Sequence, residues 1–414
     1  MAKSYESFGK FEYLIAMILM TITLSGKFFP QENKNFGISF SGFIKTDIFY
    51  DSHEVISLRE GHFLLYPVEE KKDTNGIILN NRSSFNILSI QTRLTGKITA
   101  PDVLGAKTTG LIEGAFFGHS EGDVNGFRLR HAIVKLEWDK SSILVGQYWH
   151  PMFIVESFPD VVSFNTGAPF QPFSRNPQIR FTQKFRLISL TATAYTQRDF
   201  QSFGPQGNST IYMRNSGLPG FNLQTQLQFP GFLFGLGGDF KQLKPRTVTE
   251  KKYFTDEIVS SYATFAYAKV NTAVLTIKAE AVYGQNLTDL TMLGGYAVYE
   301  KSETTGIEKY ISTKTVSFWS EIIYGQGIQL ALFCGFTKNN GTDKPVITFY
   351  SRGFNIDNIY RISPRIVVNS GNFRIAGEVE YTSASYGTPV SNGKISVSKN
   401  ANNLRLIGAV YLFF

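Results

Sequence analysis

Apolar and polar side chains alternate at every second position in long segments of this chain, from Gly37 onward. The clearest segment has an apolar face and an amide face, formed by Phe221, Leu223, Thr225, Leu227 and Phe229 against Asn222, Gln224, Gln226 and Gln228. Strands of soluble β-sandwiches also alternate, but they are usually shorter, about five or six residues. Segments of about ten residues with one water-facing side indicate strands that cross a membrane.

The pattern predicts an all-β fold, a transmembrane antiparallel β-barrel of about sixteen strands. The predicted strands cover residues 37–50, 84–98, 110–118, 127–138, 142–148, 178–184, 186–197, 221–229, 232–241, 259–270, 272–284, 315–324, 328–338, 360–368, 373–383 and 404–414. The connections after even-numbered strands are mostly short turns, whereas those after odd-numbered strands include the long segments 51–83, 149–177, 198–220, 285–314, 339–359 and 384–403. This asymmetry is typical of short periplasmic turns and long extracellular loops. We interpret the apolar stretch 293–299 as a hairpin arm within one outer loop.

Composition agrees with strands that face lipid. The 414 residues include 37 Gly, 37 Phe and 20 Tyr, and 18% are charged, below the roughly 25% of soluble domains. No apolar run after about residue 30 is long enough for a membrane-spanning helix. The net charge of +8 is spread along the chain, so we expect no nucleic-acid partner. The lone Cys334 is interpreted as a small buried or lipid-facing residue.

The amino terminus has the pattern of a signal peptide. Lys3 and Lys10 precede an apolar stretch from Leu14 to Leu24, which small residues follow. We therefore predict a signal peptide over residues 1–31, with its cleavage site open, and a single barrel domain over residues 32–414.

Charged side chains on the polar faces predict a water-filled lumen, because a charge facing lipid at mid-bilayer costs about 2–4 kcal/mol. The basic candidates are Arg93, Lys97, Lys241, Lys278, Arg361, Arg365, Arg374 and Arg405, and Glu280, Glu378 and Glu380 share this lining. The basic excess predicts a passive diffusion channel for small hydrophilic solutes that prefers anions. In the alternative interpretation, a neighbouring carboxylate neutralises each arginine and the charges only stiffen the wall.

The connection 149–177 is unusually apolar for an outer loop, with five phenylalanines and three prolines between residues 153 and 173. We predict that it folds inward and narrows the lumen. Arg175 and Arg180 flank its end and are the main candidates for a constriction, with Arg128 or Arg130 facing them. The sequence leaves open which of those two points inward, because the mixed pattern that follows them would fit a β-bulge.

The sequence offers little for catalysis, cofactor binding or a metal site, and we expect no enzyme activity. The five histidines are scattered without metal-ligand spacing, and no Gly-x-Ser-x-Gly motif occurs. Two alternatives to a channel remain: a barrel-embedded lipid hydrolase that uses Ser157 or Ser163 with His150, and a receptor or adhesin displayed on the outer loops.

Four segments resemble the DcaP-like outer-membrane porins, especially their Bacteroidetes versions. They are Gly42-Phe-Ile-Lys-Thr-Asp47, Phe127-Arg-Leu-Arg-His-Ala132, Val145-Gly-Gln-Tyr-Trp-His-Pro151 and Asn176-Pro-Gln-Ile-Arg-Phe181. The resemblance implies a sixteen-stranded trimer in the outer membrane of a Gram-negative bacterium, which passes small organic anions past inward-facing arginines. Characterised members also have a helical coiled-coil extension, which this sequence lacks. The resemblance therefore leaves open whether this protein forms a homotrimer. The remaining expected partners are outer-membrane lipid and, through the terminal Phe414, the barrel assembly machinery.

Overall fold

Sixteen strands, the second of them in two segments, form a closed barrel in a computed structural model that describes residues 36–414. The predicted signal peptide lies outside the described residues. The strands are β1 Gly37–Asp51, β2 Ser84–Leu88 with Arg93–Val103, β3 Ala106–Ala115, β4 Arg128–Glu137, β5 Ser141–Trp149, β6 Arg175–Phe185, β7 Ile188–Tyr195, β8 Gly220–Phe229, β9 Phe232–Leu243, β10 Val259–Asn271, β11 Leu275–Gln285, β12 Lys314–Gly325, β13 Ile328–Gly341, β14 Ile356–Ser370, β15 Phe373–Pro389 and β16 Ile395–Phe413.

Every strand pairs antiparallel with its neighbours in the chain, and the last strand closes the sheet on the first. β16 pairs with β1 from Phe43 opposite Phe413 to Asp51 opposite Arg405. The all-β, sixteen-stranded antiparallel barrel predicted from the alternation is therefore confirmed.

The outer face of the barrel is apolar and exposed, because one side chain in two along each strand points away from the lumen. Leu223 on β8 is 64% exposed and Leu330 on β13 is 57% exposed. Exposed aromatic side chains cluster near the strand ends, at Phe185, Phe229, Phe232, Tyr324 and Phe373 on one rim and at Phe85, Phe127, Phe221, Tyr262 and Tyr283 on the other. An apolar band between aromatic girdles is the surface that a transmembrane barrel presents to lipid.

The two rims differ as predicted, with one exception. The turns after even-numbered strands are short, and Gly231 in the β8–β9 turn has φ +75°, where a Cβ would lie 2.7 Å from the backbone oxygen of Asn271. The prediction of a long loop over residues 384–403 was wrong, because β15 continues to Pro389 and β16 begins at Ile395. This hairpin projects beyond the lipid, where no apolar stripe is needed, so pairing continues after the alternation fades.

The second strand is interrupted at residues 89–92, where sequence alternation alone predicted a continuous strand. Phe43 pairs with Arg93 and Asp47 pairs with Leu88, so four residues of β2 lie opposite three of β1. Thr92 in this bulge accepts a hydrogen bond from the Lys45 amide at 3.1 Å. The bulge therefore fixes the backbone next to an inward-facing lysine.

The outer loops contain their own small sheets. Gly294–Lys301 pairs with Glu308–Ser312 as the arm of a hairpin, in agreement with the prediction for residues 293–299, and it also pairs with Thr348–Arg352 from the next long loop. Val55–Leu58 and Phe63–Pro67 form a second hairpin. Among residues 36–414, no helix is long and apolar enough to cross a membrane.

Candidate pore and its lining

The connection between β5 and β6, residues 150–174, is hydrogen-bonded to inward-facing side chains of the barrel wall; we call it the inner loop. Its bonds are Lys45 Nζ to Val162 O (2.7 Å), Val162 N to Glu378 (2.5 Å), Asn165 Nδ2 to Glu380 (2.8 Å), Arg361 Nη1 to Ala168 O (2.8 Å), Ser317 Oγ to Phe170 O (3.0 Å) and Lys278 Nζ to Phe158 O (3.0 Å). These partners lie on β1, β11, β12, β14 and β15, whose inward face we call the anchored wall. The inner loop also bonds to β8 and β10, through Gln224 Nε2 to Pro151 O (3.4 Å), Ser157 Oγ to Ala268 O (3.4 Å) and Lys269 Nζ to Glu156 O (3.0 Å). Most of its bonds to the wall are nevertheless to the anchored wall.

The phenylalanines of the inner loop contact other aromatic rings rather than solvent. Phe153 stacks on Trp149 with ring centroids 3.8 Å apart, and on Phe158 at 5.3 Å. Phe173 packs edge-on against Trp149 at 5.2 Å, and Phe164 lies edge-on to Phe63 at 5.7 Å. This buried cluster inside the barrel gives the loop an apolar core of its own, which accounts for its composition.

Glu321 is the centre of the anchored wall and is fully buried. Its carboxylate lies 2.6 Å from Arg365 and 3.1 Å from Lys278, and it also accepts the backbone N–H of Asp160 at 3.0 Å. One wall carboxylate therefore holds two wall cations and the inner loop at once. A buried charge with this many partners is costly to disturb, because removing it leaves Arg365 unpaired and leaves Lys278 with only the Asp160 carboxylate at 2.7 Å.

Other predicted lumen cations are also neutralised. Arg361 lies 3.3 Å from Glu380, Arg405 forms two hydrogen bonds with Asp51 at 2.6 and 2.8 Å, and Lys241 pairs with Asp289 of an outer loop. For these positions the structure agrees with the alternative in which carboxylates neutralise the basic side chains. Glu378 accepts from the inner-loop backbone, and Glu280 accepts from Trp319 Nε1 at 3.2 Å; within residues 36–414, neither forms a salt bridge within 4.0 Å.

A second group of arginines lies near the outer rim around Phe117; we call it the outer arginine cluster. Arg128 and Arg175 share Asp199, the latter at 2.7 Å, while Arg130 and Arg93 share Glu113 at 2.7 and 3.5 Å. Glu113 pairs with His131 and Gly114 with Leu129, so Arg130 is the extra residue of a β-bulge. The bulge resolves the open alternative, since both Arg128 and Arg130 reach interior carboxylates.

Asp199 of the outer arginine cluster is charged despite its burial. Burial alone would raise the pKa of its carboxyl, but the Arg175 and Arg128 guanidinium groups outweigh this and hold the pKa below its usual value. The cluster is thus compensated by carboxylates, and Arg128 and Arg175 line a different cavity from Arg180. That Arg128 or Arg130 faces Arg180 across a constriction stays a prediction.

Arg180 differs from the other predicted constriction residues, because no carboxylate lies within 4.0 Å of it among the described residues. Its guanidinium donates to Gln178 Oε1 at 3.0 Å and to Trp149 O at 2.9 Å, and lies 5.7 Å from the Tyr148 ring centroid. Arg374 also lacks a carboxylate partner; it donates to Asn369 at 2.7 Å and lies over Tyr411 and Phe413 near the periplasmic rim.

A cavity of about 490 Å³ opens beside Arg180, between the inner loop and the inward face of β6, β7 and β8, which we call the open wall. Its charged lining consists of Arg180, Lys184 and Arg186 against the single acid Glu156. Of these cations, Lys184 also lies 3.7 Å from the Glu137 carboxylate, which is outside the lining. The polar side chains of the wall in the lining are Thr182, Ser189, Thr191, Gln224, Gln226 and Gln228, and Leu187 and Ile188 line its end at the β6–β7 turn. A hydrated, net basic passage can therefore lie on this side of the inner loop.

Sequence analysis missed several groups that complete the lining. Lys45, Asp51, Glu113 and Glu321 are on strands, and their inward orientation follows from the alternation that identified the arginines. Asp160, Asp199 and Asp289 are in loops, where no periodic pattern indicates which side chain will turn into the lumen.

The serines of the hydrolase alternative do not form a catalytic arrangement with His150. Ser157 Oγ donates to Ala268 O at 3.4 Å, and Ser163 Oγ has no hydrogen-bond partner. His150 Nδ1 accepts from the Met152 amide, and its Nε2 lies 3.9 Å from Asp239. Within residues 36–414, no group of three or more His, Cys, Asp or Glu side chains could hold a metal ion.

The fold is similar to that of solved outer-membrane proteins. The outer-membrane channel DcaP of Acinetobacter baumannii aligns with a TM-score of 0.65 at 13% identity, over 93% of this chain and 99% of DcaP. OmpT of Vibrio cholerae gives 0.55 at 10% identity over 93% and 100% of the two chains, and OmpF of Salmonella typhi in complex with daunomycin gives 0.52 at 11% over 91% and 97%. Neither a family model nor a curated protein matches the sequence.

At these identities the likeness establishes the fold, and membership of the DcaP-like family stays a prediction. The barrel itself has an even number of strands, a closed sheet, an apolar outer band and two unequal rims, which together are the features of bacterial outer-membrane proteins. The chain is an outer-membrane β-barrel protein of a Gram-negative bacterium.

Proposed function

We propose that this protein is a porin, a passive diffusion channel for small hydrophilic solutes that prefers small organic anions. The observation that carries the proposal is the cavity beside Arg180, whose lining has three basic side chains, of which Lys184 is paired with Glu137, and one acidic side chain. In this proposal the inner loop is the constriction of a single barrel domain, and solutes pass between it and the open wall.

The anion preference depends on which cations remain uncompensated. Arg361, Arg365, Lys241 and Lys278 contribute little net charge to the lumen, because each lies beside a carboxylate. Arg180 has none, and the low-dielectric walls of a narrow passage focus the field of such a group onto a passing solute. One unpaired arginine beside the passage can therefore set the sign of the selectivity.

The test is reconstitution in a planar bilayer under a salt gradient. We expect ion conductance with an anion-selective reversal potential, and a shift of that potential toward zero in Arg180→Gln. Arg82→Gln is the matched control, because Arg82 is exposed in an outer loop and removes the same charge away from the lumen. A cation-selective potential would contradict the anion preference. A folded barrel without conductance would contradict the channel and favour the receptor or adhesin alternative.

The expected partners belong to the same proposal. A homotrimer is supported by the resemblance to DcaP-like porins, and one solved form of Vibrio cholerae OmpT is a trimer; native mass spectrometry of the purified barrel tests it. Phe414 closes the barrel through two backbone hydrogen bonds with Gly42 while its ring stays 55% exposed. An exposed terminal aromatic is available for recognition by the assembly machinery, and deleting Phe414 should lower the amount of assembled barrel in the outer membrane.

A further inference from the structure

Three glutamines form a column along the cavity, and the anion preference does not explain them. Gln224, Gln226 and Gln228 follow each other on the inward face of β8 and all line the cavity. An amide has no net charge, but it presents both hydrogen-bond donors and an acceptor. Removing water from these amides costs free energy unless other hydrogen bonds replace those to water. We therefore expect a solute that forms a hydrogen bond with each amide.

The central amide is held in place by the wall behind it. Gln226 Oε1 accepts a hydrogen bond from the Tyr267 hydroxyl at 2.9 Å. The Tyr267 ring lies flat against β9 at Gly235, where a Cβ would come within 2.2 Å of the ring. This bond fixes the Gln226 amide at the cavity that both side chains line.

Strand register places three kinds of group side by side on the open wall. Gln226 lies opposite Ser189 and Gln224 opposite Thr191 across the β7–β8 pairing. Ser189 in turn lies opposite Lys184, and Thr191 opposite Thr182 next to Arg180, across the β6–β7 pairing. On β6 the two cations Arg180 and Lys184 thus flank Thr182, whose hydroxyl is hydrogen-bonded to that of Thr191 at 3.0 Å. The hydroxyls of β7 follow, and then the amides of β8.

We propose that this cavity is a binding site for small polyhydroxylated carboxylates of the sugar-acid type. Arg180 and Lys184 bind the carboxylate, while the amides and hydroxyls of β7 and β8 exchange hydrogen bonds with the hydroxyls of the solute. An anion without hydroxyls can pair with the cations but forms no hydrogen bonds with the amides. It therefore binds more weakly than a polyhydroxylated carboxylate, which can form both kinds of contact. The inference rests on the proposed function, since the solute reaches the cavity through the channel.

The test is a titration of the purified full-length barrel in detergent, followed by ligand NMR, with gluconate, hexanoate and glucose. Gluconate and hexanoate share six carbons and one charge and differ in hydroxyls, whereas glucose has hydroxyls without the charge. We expect gluconate to bind several-fold more tightly than either. Gln226→Met should weaken gluconate binding about five-fold, the effect of one neutral hydrogen bond, and leave hexanoate binding unchanged.

Two further variants make the result decisive. Gln228→Met removes an exposed amide whose loss should not affect folding, and it should also weaken gluconate selectively. Gln329→Met is the control, because Gln329 is on β13 and is not among the residues that line the cavity. Equal binding of gluconate and hexanoate, or equal loss of both in Gln226→Met and Gln228→Met, would overturn the inference. This titration does not need conductance, so failure of the channel proposal in a bilayer remains a separate result.

Discussion

The anchored wall and the open wall contain the same types of side chain, but use them differently. In the anchored wall, Arg365 and Lys278 share the buried carboxylate of Glu321, which also binds the inner loop. In the open wall, Arg180 has only neutral hydrogen-bond partners and faces a cavity. The comparison teaches that a basic residue in a barrel lumen indicates selectivity only when its carboxylate partner is absent. Paired residues of the same kind serve to position the inner loop.

The largest expected effect is on the anchored wall. Glu321→Gln should lower the free energy of unfolding by about 3–5 kcal/mol, because it leaves buried Arg365 without a carboxylate and Lys278 with only that of Asp160. Urea unfolding in lipid vesicles, followed by tryptophan fluorescence, measures the change. Glu137→Gln is the control: its ion pair with Lys135 is partly exposed and should be worth less than about 1 kcal/mol. Similar losses in the two variants would remove the distinction between the walls.

The outer arginine cluster is an intermediate case, in which a loop carboxylate compensates two arginines. Asp199→Asn should cost about 1.5–3 kcal/mol, the range for a hydrogen bond to a charged group. Because the pKa of Asp199 is lowered on folding, its contribution is complete above the unfolded value near 3.9 and is lost as the pH falls through the folded pKa. The difference in stability between wild type and variant should therefore shrink below about pH 4. A difference that stays constant with pH would contradict this assignment.

A glycine behind the open wall gives a smaller expected effect. Gly235→Ala would force the Tyr267 ring off β9 and should cost about 1–3 kcal/mol through overpacking. Gly238→Ala on the same strand is the matched control, since a Cβ there meets nothing closer than 3.9 Å. If both variants unfold at the same urea concentration, the position of the Tyr267 ring does not depend on Gly235. The argument that Tyr267 holds the Gln226 amide in place would then be wrong.

A smaller change in stability than at Glu321 is expected at Arg180 itself. Arg180→Gln removes two hydrogen bonds from a charged guanidinium to neutral acceptors and should cost about 1.5–3 kcal/mol, although the same variant should change selectivity most. Urea unfolding of Arg180→Gln beside Glu321→Gln gives the comparison directly. A loss at Arg180 as large as that at Glu321 would mean that Arg180 is a structural residue.

Alternation was sufficient to predict all sixteen strands and the inward orientation of the arginines, because a membrane imposes a period of two on every strand. It failed at residues 384–403, where strands leave the lipid, and at residues 89–92, where a bulge interrupts the pairing. Alternation also could not show that Arg180 lacks the carboxylate partner that Arg175 and Arg361 have. That distinction depends on Asp199 and Glu380, which other segments bring into place, and no local pattern contains such a contact.

The central claim is that solutes pass along the open wall and not along the anchored wall. In a Cys334→Ala background, which removes the single native thiol, Gln226→Cys should react with a charged, membrane-impermeant thiosulfonate and lose most of its conductance in a planar bilayer. Ala331→Cys, facing inward on β13 opposite Arg365, should keep its conductance after the same treatment. Complete modification at residue 226 with unchanged conductance, or a block only at residue 331, would contradict the account.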